Sequence, residues 1–148
     1  MKLSNNNANI LLLDTHQDIE EYADHLVTKL LDEKDLNNLT YPPNWGLTED
    51  EINELKKLGN NEHLKSGLRK LIADNSAGII FNMFNFFDGT GTPKNDDGTW
   101  TGIKLVDEEQ NENSAPIDDM LHDKFYETYW EWRKIRGDKK WKLDTYEG

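Results

Sequence analysis

The segment that most constrains the fold is the apolar run over residues 77–87. An aspartate and several small residues follow it directly, as residues 79–92, "IIFNMFNFFDGTGT", show. A run of this length fits either a buried strand or a buried helix. The two asparagines favour a helix, because Asn82 and Asn85 would face opposite sides of a strand but share one helical stripe with Gly78. The apolar side chains that would then face a core are Ile80, Phe81, Phe84 and Phe87. We therefore expect a largely buried helix.

Apolar residues at helical spacing indicate further helices before this run. The first is expected to begin near Asp14 or Thr15, where a capping side chain precedes Gln17 or Asp18 by about one turn. The second follows the break "TYPPNWG", with Thr48 and Glu51 as a capping box. A third lies in "NEHLKSGLRKLIAD", which we expect to end before the apolar run begins.

The last long helix is predicted over "APIDDMLHDKFYETYWEWRKIRG", with Leu121, Phe125, Tyr129 and Trp132 on one arc. Before it, "DDG" followed by "TWTGIKLV" predicts a short hairpin or an isolated strand. The expected fold is thus mainly α, a single-domain helical bundle of about five helices with a small β-hairpin or isolated strand. The domain would cover residues 1–148, with loosely ordered termini at 1–13 and 138–148.

Composition excludes several kinds of site and favours a folded chain. Hydrophobic residues make up only 35%, but five Trp, five Tyr and five Phe supply large side chains for a core. The absence of cysteine excludes disulfides, thiolate metal sites and cysteine nucleophiles, and is typical of a reducing compartment. The early run "ILLL" is too short for a signal-peptide core or a membrane span, so we predict a cytoplasmic protein without a membrane partner.

The charge balance indicates the class of partner. Seventeen Lys and Arg against 29 Asp and Glu give a net charge of −12, which disfavours nucleic acid and favours a basic protein partner. Between residues 105 and 123 there is no Lys or Arg. The acids in this segment are Asp107, Glu108, Glu109, Glu112, Asp118, Asp119 and Asp123. They form either a solvated loop with an acidic helix start or a partner-binding surface.

Trp130 is a further candidate for partner binding. On the last predicted helix it projects away from the arc of Phe125 and Trp132, toward Asp123 and Glu127. A partly exposed tryptophan beside acids is typical of a protein interface.

Asp88 has two interpretations. "DGTGT" loosely resembles the aspartyl-nucleophile motif of haloacid-dehalogenase-like enzymes and P-type ATPases, a likeness of five residues. The likeness implies that Asp88 lies at the carboxyl edge of a parallel sheet. The sequence departs from the phosphatase members of that group, because Thr90 stands where they carry a second aspartate. The alternative is that Asp88 and Gly89 end a helix and open a turn.

A metal-assisted hydrolase using Asp88, Asp118 and His122 is the alternative function. Asp118 precedes His122 by about one helical turn, which is the spacing of two metal ligands on one helix face. A transition-metal site needs a third ligand and usually a fourth, and no further spacing supplies them. The preferred hypothesis therefore involves no catalytic residue, cofactor or metal.

Four stretches together, "NNEHLKSGLRKLI", "FFDGTGTP", "WTGIKLVDE" and "LHDKFYETYWEWR", resemble a group of small, uncharacterised bacterial cytoplasmic proteins. The likeness extends over roughly residues 48–136 and implies no activity. In character alone, a small, acidic, cysteine-free domain is similar to immunity proteins, which neutralise basic toxin domains. The predicted function is non-catalytic binding of a basic protein, such as a toxin domain, in an immunity-like or antitoxin-like role.

Overall fold

A computed structural model describes residues 2–37, 39–43, 46–109 and 114–137. Its four α-helices are α1 (Asn5–Val27), α2 (Glu49–Lys56), α3 (Glu62–Asp88) and α4 (Leu121–Ile135), and a π-helical segment, Thr28–Glu33, continues α1. The mainly α fold expected from the sequence is confirmed.

The predicted hairpin or strand near residues 99–106 is wrong, since none of the described residues belongs to a strand. A local network of side-chain hydrogen bonds explains this. Asp96 accepts hydrogen bonds from the backbone N–H groups of Gly98 and Trp100, and Asp97 accepts one from Thr99. These turns satisfy the backbone N–H groups of residues 98–100, where the strand was expected to begin, without a partner strand.

Helix α1 begins nine residues before the predicted start at Asp14, so residues 5–13 are helical rather than a loose terminus. Ser4 provides the cap, because its hydroxyl accepts the N–H of Asn7 at 3.3 Å. Thr15 does not cap a helix; its hydroxyl donates to the carbonyl of Leu11 at 2.7 Å. The other predicted loose terminus, 138–148, lies outside the described residues.

Helix α3 is one helix of 27 residues, not the two that the sequence suggested. It includes the whole apolar run 77–87, whose helical state is confirmed. Its burial is less than expected, because Phe84 is buried while Ile79 and Met83 are 61% and 47% exposed. A helix at this position offers one face to the core and the other to solvent.

The start of α2 confirms the predicted capping box. The Thr48 hydroxyl accepts the N–H of Glu51 at 3.3 Å, and the Glu51 carboxylate accepts the N–H of Thr48 at 2.7 Å. These hydrogen bonds from Thr48, the backbone one foremost, hold the pKa of Glu51 below its ordinary value. Helix α4 starts at Leu121, several residues after the predicted start at Ala115.

The chain divides into two compact units, and α1 and α3 contribute residues to both. The first unit contains described residues 2–19 and 75–137, and the second contains those between 20 and 74. A single domain over 1–148 stays a prediction.

The second unit combines small apolar contacts with ion pairs between its helices. Buried Ala23, Val27 and Leu31 follow one another at helical spacing. At the edges, Arg69 pairs with Asp24 at 2.7 Å and Lys65 pairs with Asp32 at 2.8 Å. Each of these two ion pairs joins α3 to α1 or to its π-helical continuation.

The core of the first unit is built around Phe125 of α4, which is 1% exposed. The His16 ring of α1 stacks on it with centroids 4.8 Å apart, and Phe84 of α3 meets it edge-on at 5.6 Å. Of the four residues predicted to form the apolar arc of α4, Leu121, Phe125 and Trp132 are buried, while Tyr129 is half-buried. Three helices therefore meet at one aromatic ring.

His16 is held neutral in this core. Its Nε2 lies 2.8 Å from the carbonyl oxygen of Phe125, and a carbonyl only accepts, so Nε2 carries the proton and donates. Burial lowers the pKa of His16, and the hydrogen bond to Phe125 opposes this in part. Because the folded pKa lies below the unfolded one, the unfolded chain takes up the proton first as pH falls.

We expect the free energy of unfolding to decrease as pH falls from 7 through the unfolded histidine pKa of about 6.5. His16→Gln retains a donor for the Phe125 carbonyl but cannot titrate, so its stability should fall less over the same window. Urea unfolding at several pH values gives the difference in unfolding free energy between the two proteins. The contributions of the other histidines cancel in this difference, because both proteins contain them. Parallel stability curves for the two proteins between pH 7 and 5 would contradict this role.

Candidate functional site

Helix α3 ends at Asp88, and a tight turn follows. Gly89 has a φ of 73°, a left-handed conformation that costs glycine little. The carbonyl of Asn85 accepts the N–H groups of Thr90 and Gly91 at 2.9 and 3.1 Å. This is the helix-end geometry that one of the two sequence interpretations of Asp88 predicts.

The side chain of Asp88 caps the start of α4. Its Oδ1 accepts the N–H of Leu121 at 3.1 Å, and its Oδ2 accepts the N–H of His122 at 2.9 Å. The same Oδ2 lies 2.7 Å from Nδ1 of His122. Met120, the residue at the N-cap position, makes no side-chain cap hydrogen bond. A carboxylate from α3 thus satisfies donors that the α4 sequence leaves open, at the positive end of its dipole.

These contacts argue against Asp88 as a nucleophile. Both carboxylate oxygens are engaged by α4. The parallel sheet that the aspartyl-nucleophile motif requires is also missing from residues 46–109 and 114–137, which contain no strand. "DGTGT" therefore resembles that motif in sequence only, and these residues form the turn that ends α3.

Of the three residues in the hydrolase alternative, the structure brings Asp88 and His122 together but leaves Asp118 apart. Asp118 precedes α4 instead of lying within it, so its spacing from His122 is not that of a helix face. Its carboxylate pairs with Nζ of Lys124 at 2.8 Å, which lowers the pKa of Asp118. Among the described residues, no three His, Asp or Glu side chains are grouped as a metal site requires.

Asp107, one of the predicted partner-binding acids, is a structural residue. It is 8% exposed, and its Oδ1 accepts the backbone N–H of Ser4 at 3.0 Å. This hydrogen bond holds the pKa of Asp107 below its ordinary value. Ser4 in turn caps α1 and forms an isolated antiparallel bridge with Pro116. Asp107 therefore fixes the start of α1 and does not belong to the exposed acids of this segment.

The remaining acids of the segment differ in their surroundings. Glu108 and Glu109 are exposed. Asp119 is exposed as well, and its carboxylate accepts the N–H of Met120 at 2.8 Å. Asp123 is exposed on α4, with a carboxylate oxygen 3.6 Å from Nε2 of His122. Glu112 lies outside the described residues.

The outer face of α4 combines aromatic rings with carboxylates. Asp123, Tyr126, Glu127 and Trp130 recur at spacings of three and four, so they form one strip, here called the acidic aromatic strip. Tyr126 and Trp130 are 57% and 52% exposed. The sequence identified Trp130 but missed Tyr126, although the same helical spacing from Phe125 and Trp132 would have placed both outside the core.

Both aromatic rings of the strip contact other side chains of the protein. Tyr126 contacts Phe81 of α3, with ring centroids 5.5 Å apart. Trp130 meets Tyr129 edge-on at 5.6 Å, and the guanidinium carbon of Arg133 lies 5.7 Å from its ring centroid. The rings are therefore large, exposed and partly positioned before any partner arrives.

Comparison of the chain with models of protein families, with curated proteins and with solved structures found no match. Within the described ranges, no helix has the length and apolar character needed to cross a membrane.

We expect Asp88→Ala to lower the free energy of unfolding by about 1–3 kcal/mol, because two N–H groups of α4 lose their acceptor in a partly buried position. Asp88→Asn keeps one acceptor oxygen and should cost less. Urea unfolding monitored by tryptophan fluorescence measures both. An Ala variant as stable as the original protein would mean that the cap is dispensable.

We expect substitutions at residues 107, 108 and 109 to differ in their effect on stability. Asp107→Asn weakens the acceptor for Ser4 and should lower the unfolding midpoint, whereas Glu108→Gln and Glu109→Gln, which change exposed side chains, should leave it unchanged. Hydrogen exchange at the first turn of α1 gives a local measurement. The assignment fails if all three substitutions have the same effect there.

Proposed function

We propose that this protein is a non-catalytic binding domain that recognises a basic protein, such as a toxin domain, through the acidic aromatic strip. The observation that carries the proposal is the pair of aromatic rings, each more than half exposed, between carboxylates on one helix face. Interfaces are enriched in Tyr and Trp, and a few such residues supply most of the binding energy.

The chemistry of the strip selects a basic partner. Lys and Arg side chains can lay their aliphatic stems along an aromatic ring while the charged ends reach nearby carboxylates. Asp123 and Glu127 provide such carboxylates within one turn of Tyr126 and Trp130. Arg133 already occupies a cation–π position on Trp130, which supports the idea that a partner's arginine can occupy a similar one.

The charge of the chain supports the same partner class. A net charge of −12 speeds the approach of a basic protein and slows that of an acidic one. Exposed Glu108 and Glu109 add carboxylates in the same unit as α4. The proposal places the protein in the cytoplasm, in line with a chain that contains no cysteine.

The residues proposed to bind the partner differ from the sequence-based set. Asp107 and Asp118 are removed because Ser4 and Lys124 engage their carboxylates. Glu112, which lies outside the described residues, stays a prediction from the sequence. The others kept from the sequence, with Tyr126 and Glu127 added from the structure, are Glu108, Glu109, Asp119, Asp123 and Trp130. The hydrolase alternative is not carried forward, since Asp118 does not join Asp88 and His122.

The test compares two double charge reversals once a basic partner has been captured from the source cell and purified. Asp123→Lys with Glu127→Lys changes the strip. Asp14→Lys with Asp18→Lys is the matched control, because it also reverses two exposed carboxylates. Both lie on the face of α1 opposite His16. The strip variant should associate about tenfold more slowly than the control variant, since steering depends on where charge lies.

Two further measurements make the test specific. Trp130→Ala should raise the dissociation rate by about tenfold or more without changing the salt dependence of association. The association rate of the original protein should fall steeply with ionic strength, and that of the strip variant less steeply. Equal rates and salt slopes for the strip and control variants would overturn the proposal, as would an acidic captured partner.

A further inference from the structure

A cavity in the first unit lies at the end of α3 and the start of α4. Its volume is about 400 Å³, within the size range of small-molecule sites. Four chain segments supply its walls: the residues before α1, the end of α3, the loop near residue 105 and the start of α4. The lining residues are Lys2, Leu3, Phe87, Asp88, Lys104, Leu105, Ile117 and Leu121.

A second cavity of about 500 Å³ adjoins the first. The two share Phe87, Asp88 and Lys104 as walls, and the second extends along the loop toward Trp100 and Ile103. The Trp100 ring lies 6.4 Å from that of Phe86, which holds the loop against α3. Both cavities therefore have aromatic and aliphatic side chains among their walls.

The walls of the first cavity are fixed by hydrogen bonds before any ligand binds. The carbonyl of Leu3 accepts the N–H of Ile117 at 2.9 Å, which ties the N-terminal segment to the residues preceding α4. The Asp88 carboxylate ties the end of α3 to Leu121. A preformed cavity loses little conformational entropy when a ligand enters.

The charge in this cavity is opposite to that of the chain. Lys2 and Lys104 line it, both are exposed, and neither forms an ion pair with any described residue. Asp88 also lines it, but its two oxygens face the N–H groups of α4, whose dipole offsets part of the negative charge. Two ammonium groups that form no ion pair within residues 2–37, 39–43, 46–109 and 114–137 thus lie beside apolar walls, in a chain with a net charge of −12.

We propose that this cavity binds an amphipathic organic anion. The carboxylate or phosphate head pairs with Lys2 and Lys104, and the apolar tail lies against Leu3, Leu105 and Ile117. This site is separate from the acidic aromatic strip, because none of its lining residues belongs to the strip. Failure of either proposal leaves the other standing.

The test uses three probes with the same tail: sodium octanoate, octyl phosphate and 1-octanol. In titrations followed by NMR, octanoate should shift the methyl signals of Leu105, Ile117 and Leu121. It should bind about tenfold more tightly than octanol, because octanol lacks the charge that the two lysines attract. Tighter binding of octyl phosphate than of octanoate identifies a phosphate head, and the reverse order identifies a carboxylate.

Charge variants connect this binding to the lysines. Lys104→Met should weaken octanoate binding about fivefold and leave octanol binding unchanged, since it removes one exposed ion pair and keeps an apolar stem. Lys94→Met is the matched control, because Lys94 is exposed but lines neither cavity. The proposal is overturned if octanol binds as tightly as octanoate, if the two variants behave alike, or if millimolar octanoate shifts none of the three methyl signals.

Discussion

The first unit depends on the capping of α4 by Asp88. The first N–H groups of a helix have no acceptor within it, and the residue at the N-cap position of α4, Met120, makes no side-chain cap hydrogen bond. Asp88 brings the acceptor from α3, so the end of one helix fixes the start of another. In the helix that starts there, Phe125 is buried in the core and Tyr126 is exposed.

The features that the sequence predicted correctly are those whose causes are local. The helical state of 77–87 follows from the placement of Asn82 and Asn85, and the capping box at Thr48 follows from a four-residue pattern. The start of α1 could not be predicted this way. Ser4 caps it in a position held by Asp107, which lies 103 residues away in the chain. Thr15 offered an equally good local pattern, so only a distant contact decides between the two.

The same distinction applies to the candidate site. A sequence shows which carboxylates a segment contains, but not which of them are already engaged. Asp107 and Asp118 belong to the predicted acidic surface by position, yet a backbone N–H and a lysine ammonium occupy them. Trp130, by contrast, was predictable because helical spacing from Phe125 alone determines which side of α4 it lies on. Periodicity predicts the direction of a side chain, and long-range partners decide what it does.

The structure also changes the meaning of the net charge. A carboxylate that caps a helix or pairs with a lysine contributes less to the outward field than an exposed one, because an opposite full or partial charge lies within a few ångströms. The field of this chain is therefore weaker near Asp88 and Asp118 than the count of acids suggests, whereas Glu108, Glu109 and Asp123 are among the acids that stay exposed. In the first unit, Lys2 and Lys104 line a cavity where Asp88 is already engaged, and neither lysine forms an ion pair with a residue that the structure describes. The two proposed sites are compatible for this reason: exposed carboxylates would face a basic protein, and two lysines elsewhere in the same unit would face a small anion.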